Sequence, residues 1–524
     1  MMKRFGIGLM ILALGSSGLS AATVYVDAGA SGADDGSSWA NAYTSLSAAI
    51  TAAAAGDELW VKAGTYYPGT LRPDKFIVSK NLTIYGGFAG TETSASERSP
   101  STNVTTLSGD IGTPNDASDN SYNIVYLTAG TVTIEGFTIK GARSQTSSDS
   151  GAGLRVSGAS TTAIIRYCKF VDNQAGLNNG SGGGAAVSGP GTIVEECVFD
   201  QNRANRGAGL SVGVSGTSGS PPLIKNCSFR YNETSDDGSG GAARTILFSG
   251  STLSAVFNGC SFFNNDAGSN TLHGSGGGLS LSAPTSVIGC SFDSNVSGAR
   301  GGAIHASTYP LTVTGCIFNN NQALGGYGGA INCAIGNYAT IDRCYFLFNS
   351  AFTGSPFLGS GGGVAISSAT GTLPVSTVSN CLFWGNWSDD GGNAVWTSQG
   401  VRLSGNTFYE QDGGGATIGY GITNSSRVKV QNSILWGNYG TGDLTPASYL
   451  DVEYSTVEGG WSGTGNISSD PLLVSDFPDS FNWWPDTGSP AIGAGSNSLT
   501  VGSLDLAGNS RTVSTVDMGA IEAQ

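Results

Sequence analysis

Two acidic doublets, Asp236-Asp237 and Asp389-Asp390, each stand just ahead of a Gly-Gly pair. Carboxylates held about 5–10 Å apart are what glycoside hydrolysis requires, whereas a doublet alone in a turn is a place for Ca2+. A second pairing joins a cation to a base. Arg244 and His305 would neutralise a sugar carboxylate and remove the neighbouring proton, the two tasks of a polysaccharide lyase. The other histidine, His273, lies in a turn. A third group is aromatic: Trp384, Tyr409 and Trp436 recur at one repeat position, with Trp387 and Tyr439 just beyond. Aromatics in file form a ridge that stacks on sugar rings or grips a partner, unless the C-terminal segment lies over it.

Which of these groups meet depends on the elements that carry them. The phrase Cys-x-Phe-x-x-Asn runs through Cys168/Phe170/Asn173, Cys197/Phe199/Asn202, Cys227/Phe229/Asn232, Cys260/Phe262/Asn265, Cys290/Phe292/Asn295, Cys316/Phe318/Asn321, Cys344/Phe346/Asn349 and Cys381/Phe383/Asn386. Two degenerate copies follow, Asn406/Phe408/Gln411 and Ser433/Leu435/Asn438. The cysteines are 29, 30, 33, 30, 26, 28 and 37 residues apart, a period that marks a repeat architecture. Gly-Gly followed by an apolar residue alternates with this phrase, as in Gly301-Gly302-Ala303-Ile304. Cys-x-Phe has the period of a strand, and no stretch inside the repeat has that of a helix. Short strands joined by Gly, Asn, Ser and Asp turns stack as a parallel β-helix, with equivalent side chains about 4.8 Å apart. Phe then forms an aromatic stack and Cys a column of small hydrophobes. Asn takes the left-handed corner and bonds to the next Asn.

That stacking sorts the candidates. The two acidic doublets lie five coils apart, about 24 Å, too far to act as one pair. They read as turn residues or as separate Ca2+ sites, and no other cofactor is expected. Arg244, Ser280, His305 and Asn332 fall on successive coils, which places Arg244 and His305 about 10 Å apart. The thiols, spaced wider than a disulfide prefers, read as free and buried, Cys333 among them. Gly is 82 of 524 residues, twice the usual share, and only 12% are charged. A net charge of −15 makes nucleic acid an improbable partner.

The chain starts with Lys3 and Arg4, an apolar run Ile7–Leu14 and the small residues Ser20-Ala21-Ala22, the layout of a secretory signal over residues 1–22. Thr23–Asp27 reads as a strand. Residues 44–55 read as one amphipathic helix, with Leu46, Ala49, Ile50 and Ala53 on a face and Gly56 as its C-cap, lying over the raw end of the first coil. Residues 86–120 form a polar excursion. From Trp461 onward the repeat gives way to a segment in which Trp461, Trp483 and Trp484 would cover apolar surface.

Tyr25-Val-Asp27, Ser38-Trp39, Gly64-Thr65-Tyr66, Tyr85-Gly86-Gly87-Phe88, Leu107-Ser-Gly-Asp110 and Gly136-Phe-Thr-Ile139 resemble secreted bacterial right-handed parallel β-helix proteins of the pectin-lyase-like superfamily. The Gly-Gly-Ala-Ile and Phe-x-x-Asn phrases are similar to the polymorphic outer-membrane-protein repeat of surface adhesins. Asp470-Pro471, Ser489-Pro490-Ala491-Ile492, Asp505-Leu506, Arg511 and Val516-Asp517-Met518-Gly519-Ala520 with Glu522 resemble a choice-of-anchor Q segment, although Gly493 replaces its usual Asp. The Asn-Thr-Asp, Gly-His-Gly and Arg-Ile-Lys phrases of polygalacturonases are missing from this sequence. The expectation is an all-β, single-stranded right-handed parallel β-helix of about 13 coils. It divides into a signal peptide (1–22), an N-terminal strand, capping helix and first coil (23–75), repeats (76–460) and a C-terminal cap (461–524). The function expected is that of a secreted or cell-surface monomer without a membrane span. It would be a non-catalytic adhesin, glycan-binding or structural protein with an extracellular polysaccharide, glycan or protein as partner. A polysaccharide lyase or glycoside hydrolase is the alternative.

Overall fold

The computed structural model describes residues 21–523 except 145, 147–148, 159–160, 270–272, 335–337, 354–358, 368–374, 414–415, 421–426, 440–443, 446–449, 476–482 and 512–513. The predicted signal segment lies almost wholly outside them. Each coil visits three long parallel sheets and, in its middle stretch, a fourth. A 15-stranded sheet, here the long sheet, runs from Thr23–Val26 to Leu450–Glu453. A 14-stranded phenylalanine sheet runs from Gly64–Tyr66 to Thr456–Val457, and a 13-stranded glycine sheet from Phe76–Val78 to Leu444–Thr445. A seven-stranded short sheet, Arg203–Arg206 to Trp387–Ser388, lies between these last two in chain order. Every strand in these sheets pairs with its equivalent one coil on, so the fold is the expected right-handed parallel β-helix.

Its core is a set of columns. The rings of Phe170, Phe199, Phe229, Phe262, Phe292, Phe318, Phe346, Phe383 and Phe408 stack at 4.5–5.0 Å between centroids and within 18° of parallel. Asn173, Asn202, Asn232, Asn265, Asn295, Asn321, Asn349 and Asn386 form a second file, each at most 1% exposed. Each Nδ2 donates to the next side-chain oxygen at 2.9–3.2 Å, and Asn386 passes the chain on to Gln411 Oε1. Asn295 shows the full set. It accepts the backbone N–H of Asn265 at 3.1 Å and its Nδ2–H at 2.9 Å. Its own Nδ2 donates to Phe262 O at 2.9 Å and to Asn321 Oδ1 at 3.0 Å. A polar side chain is stable at that depth because its hydrogen bonds are met.

The hydrogen-bonded file is as expected, but the left-handed backbone falls elsewhere. None of Asn173, Asn202, Asn232, Asn265, Asn295, Asn321, Asn349 and Asn386 has positive φ. The residue before each of them does: Asp172 (50°), Gln201 (55°), Tyr231 (54°), Asn264 (51°), Ser294 (58°), Asn320 (52°), Phe348 (53°) and Gly385 (63°). The residue before each repeat Cys has it too. Asn is selected at the corner for its amide, which closes the turn and links the coils, and the strained conformation rests on its neighbour.

The cysteine column does more than fill space. All nine thiols are free and buried. Cys290 Sγ accepts the N–H of Cys260 at 3.4 Å, and Cys316 Sγ that of Cys290 at 3.4 Å. Where the phrase degenerates, oxygen takes the same role: Asn406 Oδ1 accepts from Cys381 N (2.9 Å) and Ser433 Oγ from Asn406 N (3.2 Å). Burial also pushes the Cys333 thiol up to about 12, and thiols in that state are unreactive. Because each of the nine is at most 2% exposed, a thiol-reactive dye should titrate none of them in the native protein and all nine after denaturation without reductant; fewer after denaturation would mean that some are bridged.

The Gly-Gly phrase has two separate steric causes. A Cβ at Gly301 (φ 62°) would lie 2.1 Å from the carbonyl oxygen of Ile304 in its own strand, and one at Gly302 2.2 Å from Gly329 O of the next coil. One glycine closes the turn and the other lets coils approach.

At the N-terminal end, helix α1 (Leu46–Ala52) is capped by Ser45, whose hydroxyl accepts Ala48 N–H. It buries Leu46, Ala49 and Ile50 against the first coil as expected. It stops at Ala53, three residues short of the glycine expected to cap it; Gly56, at φ 101°, forms the turn into the next strand. The C-terminal segment does not simply wrap the last coil. Trp461 packs against the main core, while Trp483, Trp484, Ala491, Leu506, Met518, Ala520 and Ile521 pack along the outside of the phenylalanine sheet.

Candidate functional site

The outer face of the phenylalanine sheet carries a broad surface built by several parts of the chain. Two columns of side chains point out from it. One is Lys169, Val198, Ser228, Ser261, Ser291, Ile317, Tyr345, Leu382, Thr407 and Ile434. The other is Val171, Asp200, Arg230, Phe263, Asp293, Asn319, Leu347, Trp384, Tyr409 and Trp436, in the same register. The C-terminal end of this face is covered. Leu506, Ala520 and Ile521 pack on Leu347 and Leu382, joined by Trp483 and Trp484. Trp483 lies 5.6 Å from Trp384 and 4.3 Å from Tyr409, and Ala491 and Met518 pack on Ile434 beside Trp436. Of the two alternatives for the aromatic ridge, the covered one holds for Trp384, Tyr409 and Trp436. Trp387 packs on Phe352 at 4.9 Å, and Tyr439 stays exposed.

The C-terminal segment is locked by a buried polar knot. Arg511, 1% exposed, donates to Glu522 Oε1 at 2.7 Å and to the carbonyls of Gly405 and Gly519. Asp505 accepts from the N–H of Asn509 and Glu522, and Asp517 from those of Gly493 and Ala523. Burial pushes the Glu522 carboxyl up to about 7 even beside Arg511.

The opposite end of the face is walled by the excursion after Phe88. There Ser94 and Glu97 form a capping box, and Arg98 is fixed by Glu135 at 2.6 Å and by the Tyr85 ring at 4.6 Å. Glu135 begins a charge ladder up the long sheet: Arg166 reaches both Glu135 (3.4 Å) and Glu195 (3.0 Å), and Lys225 reaches Glu195 (2.8 Å). The Lys225 hydrogen bond, with that of Arg166, holds the Glu195 carboxyl below its ordinary range. Between the two walls, six rungs from Lys169 to Ile317 remain open, about 24 Å of surface. Lys169, Arg230, Phe263, Ser291 and Ile317 are exposed there.

The other candidates fall as follows. Arg244, Ser280, His305 and Asn332 do stand in one register column on the glycine sheet. The column is closed: Ser280, His305 and Asn332 are all buried. His305 Nδ1–H donates to Asn332 Oδ1 at 2.9 Å. Burial, with Arg300 nearby, lowers the imidazole to about 4; burial, with Arg206 nearby, lowers Arg244 to about 10. A screened imidazole that protonates only near pH 4 is a poor base for a sugar α-proton, while Arg244 keeps its charge. His273 lies outside this column. Asp236 and Asp237 sit in the strand Glu233–Ser239 rather than in a turn, and Asp389 and Asp390 follow the equivalent strand Trp387–Ser388; all four are exposed. Asp389 accepts the N–H of Thr353. Among the described residues no group of three or more His, Cys, Asp or Glu is placed to hold a metal ion, and no helix is long and apolar enough to cross a membrane.

The family model described as "Right handed beta helix region" matches residues 112–285 and 277–457. The chain belongs to the right-handed β-helix family. No curated protein matches it in sequence. Among solved structures, this β-helix is similar to the crystal structure of pectate lyase Pel9A, at 15% identity over 97% of this chain and 98% of that one, with a TM-score of 0.33. It is also similar to ORF18 of Geobacillus virus E2, at 16% identity and a TM-score of 0.32, over 62% of this β-helix and 58% of the viral chain.

Sequence reasoning missed the open face and its N-terminal wall, while the C-terminal wall was one of its two alternatives for the aromatic ridge. The only signal was that the residues flanking Phe turn from charged and polar (Lys169, Asp200, Arg230) to large and apolar (Tyr345, Leu382, Trp384) where the C-terminal segment lands.

Proposed function

We propose that this chain is an exported or cell-surface β-helix protein that binds an extended extracellular glycan along the open face of the phenylalanine sheet and does not cleave it. The observation that carries this reading is the walled stretch of six rungs, in which exposed Phe263 stands beside Arg230, Ser261 and Ser291. A long, shallow, rigid surface with an aromatic plane and hydrogen-bonding side chains at regular spacing suits a regular polymer. The buried, low-pKa His305 supports binding over cleavage. Secretion follows from the signal-like residues 1–22, and the acidic balance sets the partner apart from nucleic acid.

The test is a panel of hexasaccharides screened for affinity and for unsaturated products or new reducing ends. Binding without turnover is expected, and the double substitution Arg230→Ala/Phe263→Ala should weaken it at least ten-fold. Turnover that is lost in Arg244→Ala would establish the lyase alternative in its place.

A further inference from the structure

Where the N-terminal wall meets the open face there is a cleft of about 500 Å³, lined by Arg98, Pro100, Thr138, Tyr167, Lys169 and Glu196. Its floor is the phenylalanine sheet itself, through Thr138 and Lys169 on adjacent rungs. Its wall is held before any ligand arrives. Arg98 is tied to Glu135, Ser99 N–H donates to Gly87 O at 2.8 Å, and Pro100 seats so closely that a Cβ at Gly87 or Gly136 would come within 2.7 or 2.9 Å of it. A preformed wall lowers the ordering cost of binding.

Tyr167 is the odd residue in this place. It occupies the left-handed position before Cys168, at φ 52°. The same position is Asn226, Gly259, Gly289, Gly315, Asn380 or Gly405 in other coils, residue types that adopt that backbone at little cost, or Glu196 and Arg343, whose side chains are tied to Asn226 and Asp342. Left-handed aromatics in other coils have something to pack on. Tyr231 meets Phe263 at 5.6 Å, Phe348 meets Trp384 at 4.9 Å, and Tyr454 packs into the cluster around Ile434. Tyr167 has no ring partner among the described residues and is 53% exposed. Strain kept without a packing return points to a role in function.

The charges in the cleft are balanced. Arg98 is taken by Glu135, and Lys169 stands one rung from Glu196, which accepts from Asn226 Nδ2 at 2.9 Å. Such a site favours a neutral ring rich in hydroxyls over a strongly charged ligand.

We propose that this cleft is a binding site for one pyranose residue, the end of a glycan chain lying in the open face, stacked on Tyr167 and hydrogen-bonded by Lys169 and Glu196. The proposal rests on the glycan-binding reading and adds to it a defined end subsite. The experiment uses the full exported chain, with the methyl glycosides of glucose, galactose, mannose and xylose and the matching hexasaccharides as probes, read by saturation-transfer NMR and calorimetry. At least one methyl glycoside should bind. Tyr167→Gly should weaken it ten-fold or more while leaving Tm unchanged or higher, and Lys169→Met should weaken it without altering Tm. The proposal is overturned if no methyl glycoside binds, if Tyr167→Gly leaves affinity unchanged, or if that substitution lowers Tm by several degrees, which would make the ring a packing residue. Hexasaccharide binding that falls in Arg230→Ala/Phe263→Ala but not in Tyr167→Gly sinks the cleft and leaves the open face standing. Methyl glycoside binding with no response of any hexasaccharide to the face variant does the reverse.

Discussion

Arg511→Met should cost about 3–5 kcal/mol and release the C-terminal segment from the phenylalanine sheet. The guanidinium is almost wholly buried and is the cation within a knot that holds the carboxylates of Glu522, Asp505 and Asp517. It also ties the segment to the solenoid through Gly405 O. Removing it strands a buried carboxylate at Glu522, and losing one partner of such a pair costs more than the pair contributes. The loss should be local. Trp483, Trp384 and Tyr409 would move into water, so tryptophan emission should shift to the red, and protease should cut within residues 470–523. The coils before Cys344 should keep their β-sheet circular dichroism and their own unfolding transition. A variant with unchanged emission and protease resistance would show that the knot does not hold the segment.

Asn295→Ala should be nearly as costly, about 3–5 kcal/mol, and its effect should spread both ways. The substitution deletes four hydrogen bonds. It leaves Asn265 N–H, Phe262 O and Asn321 Oδ1 short of partners in the middle of the core, at about 1–3 kcal/mol for each group left unsatisfied. At Asn438, on the half-buried end of the file, where Nδ2 donates to Phe408 O at 3.2 Å, the same change should cost about 1–2 kcal/mol less, because water can reach the freed groups. Urea unfolding of the two variants side by side measures the difference. Equal costs at both positions would mean that burial does not set the value of these bonds.

What could be read in the sequence and what could not divide along a physical line. Columns that repeat with the coil were legible, because each position has one environment and the chain states its requirement many times. Phe229, Phe262 and Phe292 lie in file as expected, Asn173, Asn202 and Asn232 are joined amide to amide, and Arg244, Ser280, His305 and Asn332 fall in one register. Within a coil the finer assignments slipped by a residue or more. The left-handed backbone belongs to Phe348 and Gly385 rather than to Asn349 and Asn386, and helix α1 ends at Ala53 rather than at Gly56. The cysteine was legible as buried but not as a hydrogen-bond acceptor, although Asn406 and Ser433 in the same column already hinted at polarity. Features that occur once were legible where a local pattern marks them, as in helix α1 and the C-terminal tryptophans, but not in the contacts they make. The seating of Pro100 on Gly87, the tie of Arg98 to Glu135 and the partner that Trp483 finds in Tyr409 each join residues from unrelated parts of the chain, and no period announces them.

Because each strand pairs with its counterpart one coil on, the hydrogen bonds between coils run along the rod and stand in series between its two ends. A molecule of this design anchored at one end and pulled at the other cannot share the load among its rungs. Every rung carries the whole of it, and the terminal one, held by a neighbour on one side only, yields first and releases its length of chain before the next gives way. Stretching would therefore proceed as a train of small, similar slips, and a brief tug would be absorbed by shedding a turn or two, with the remaining stack intact as the template on which they rewind.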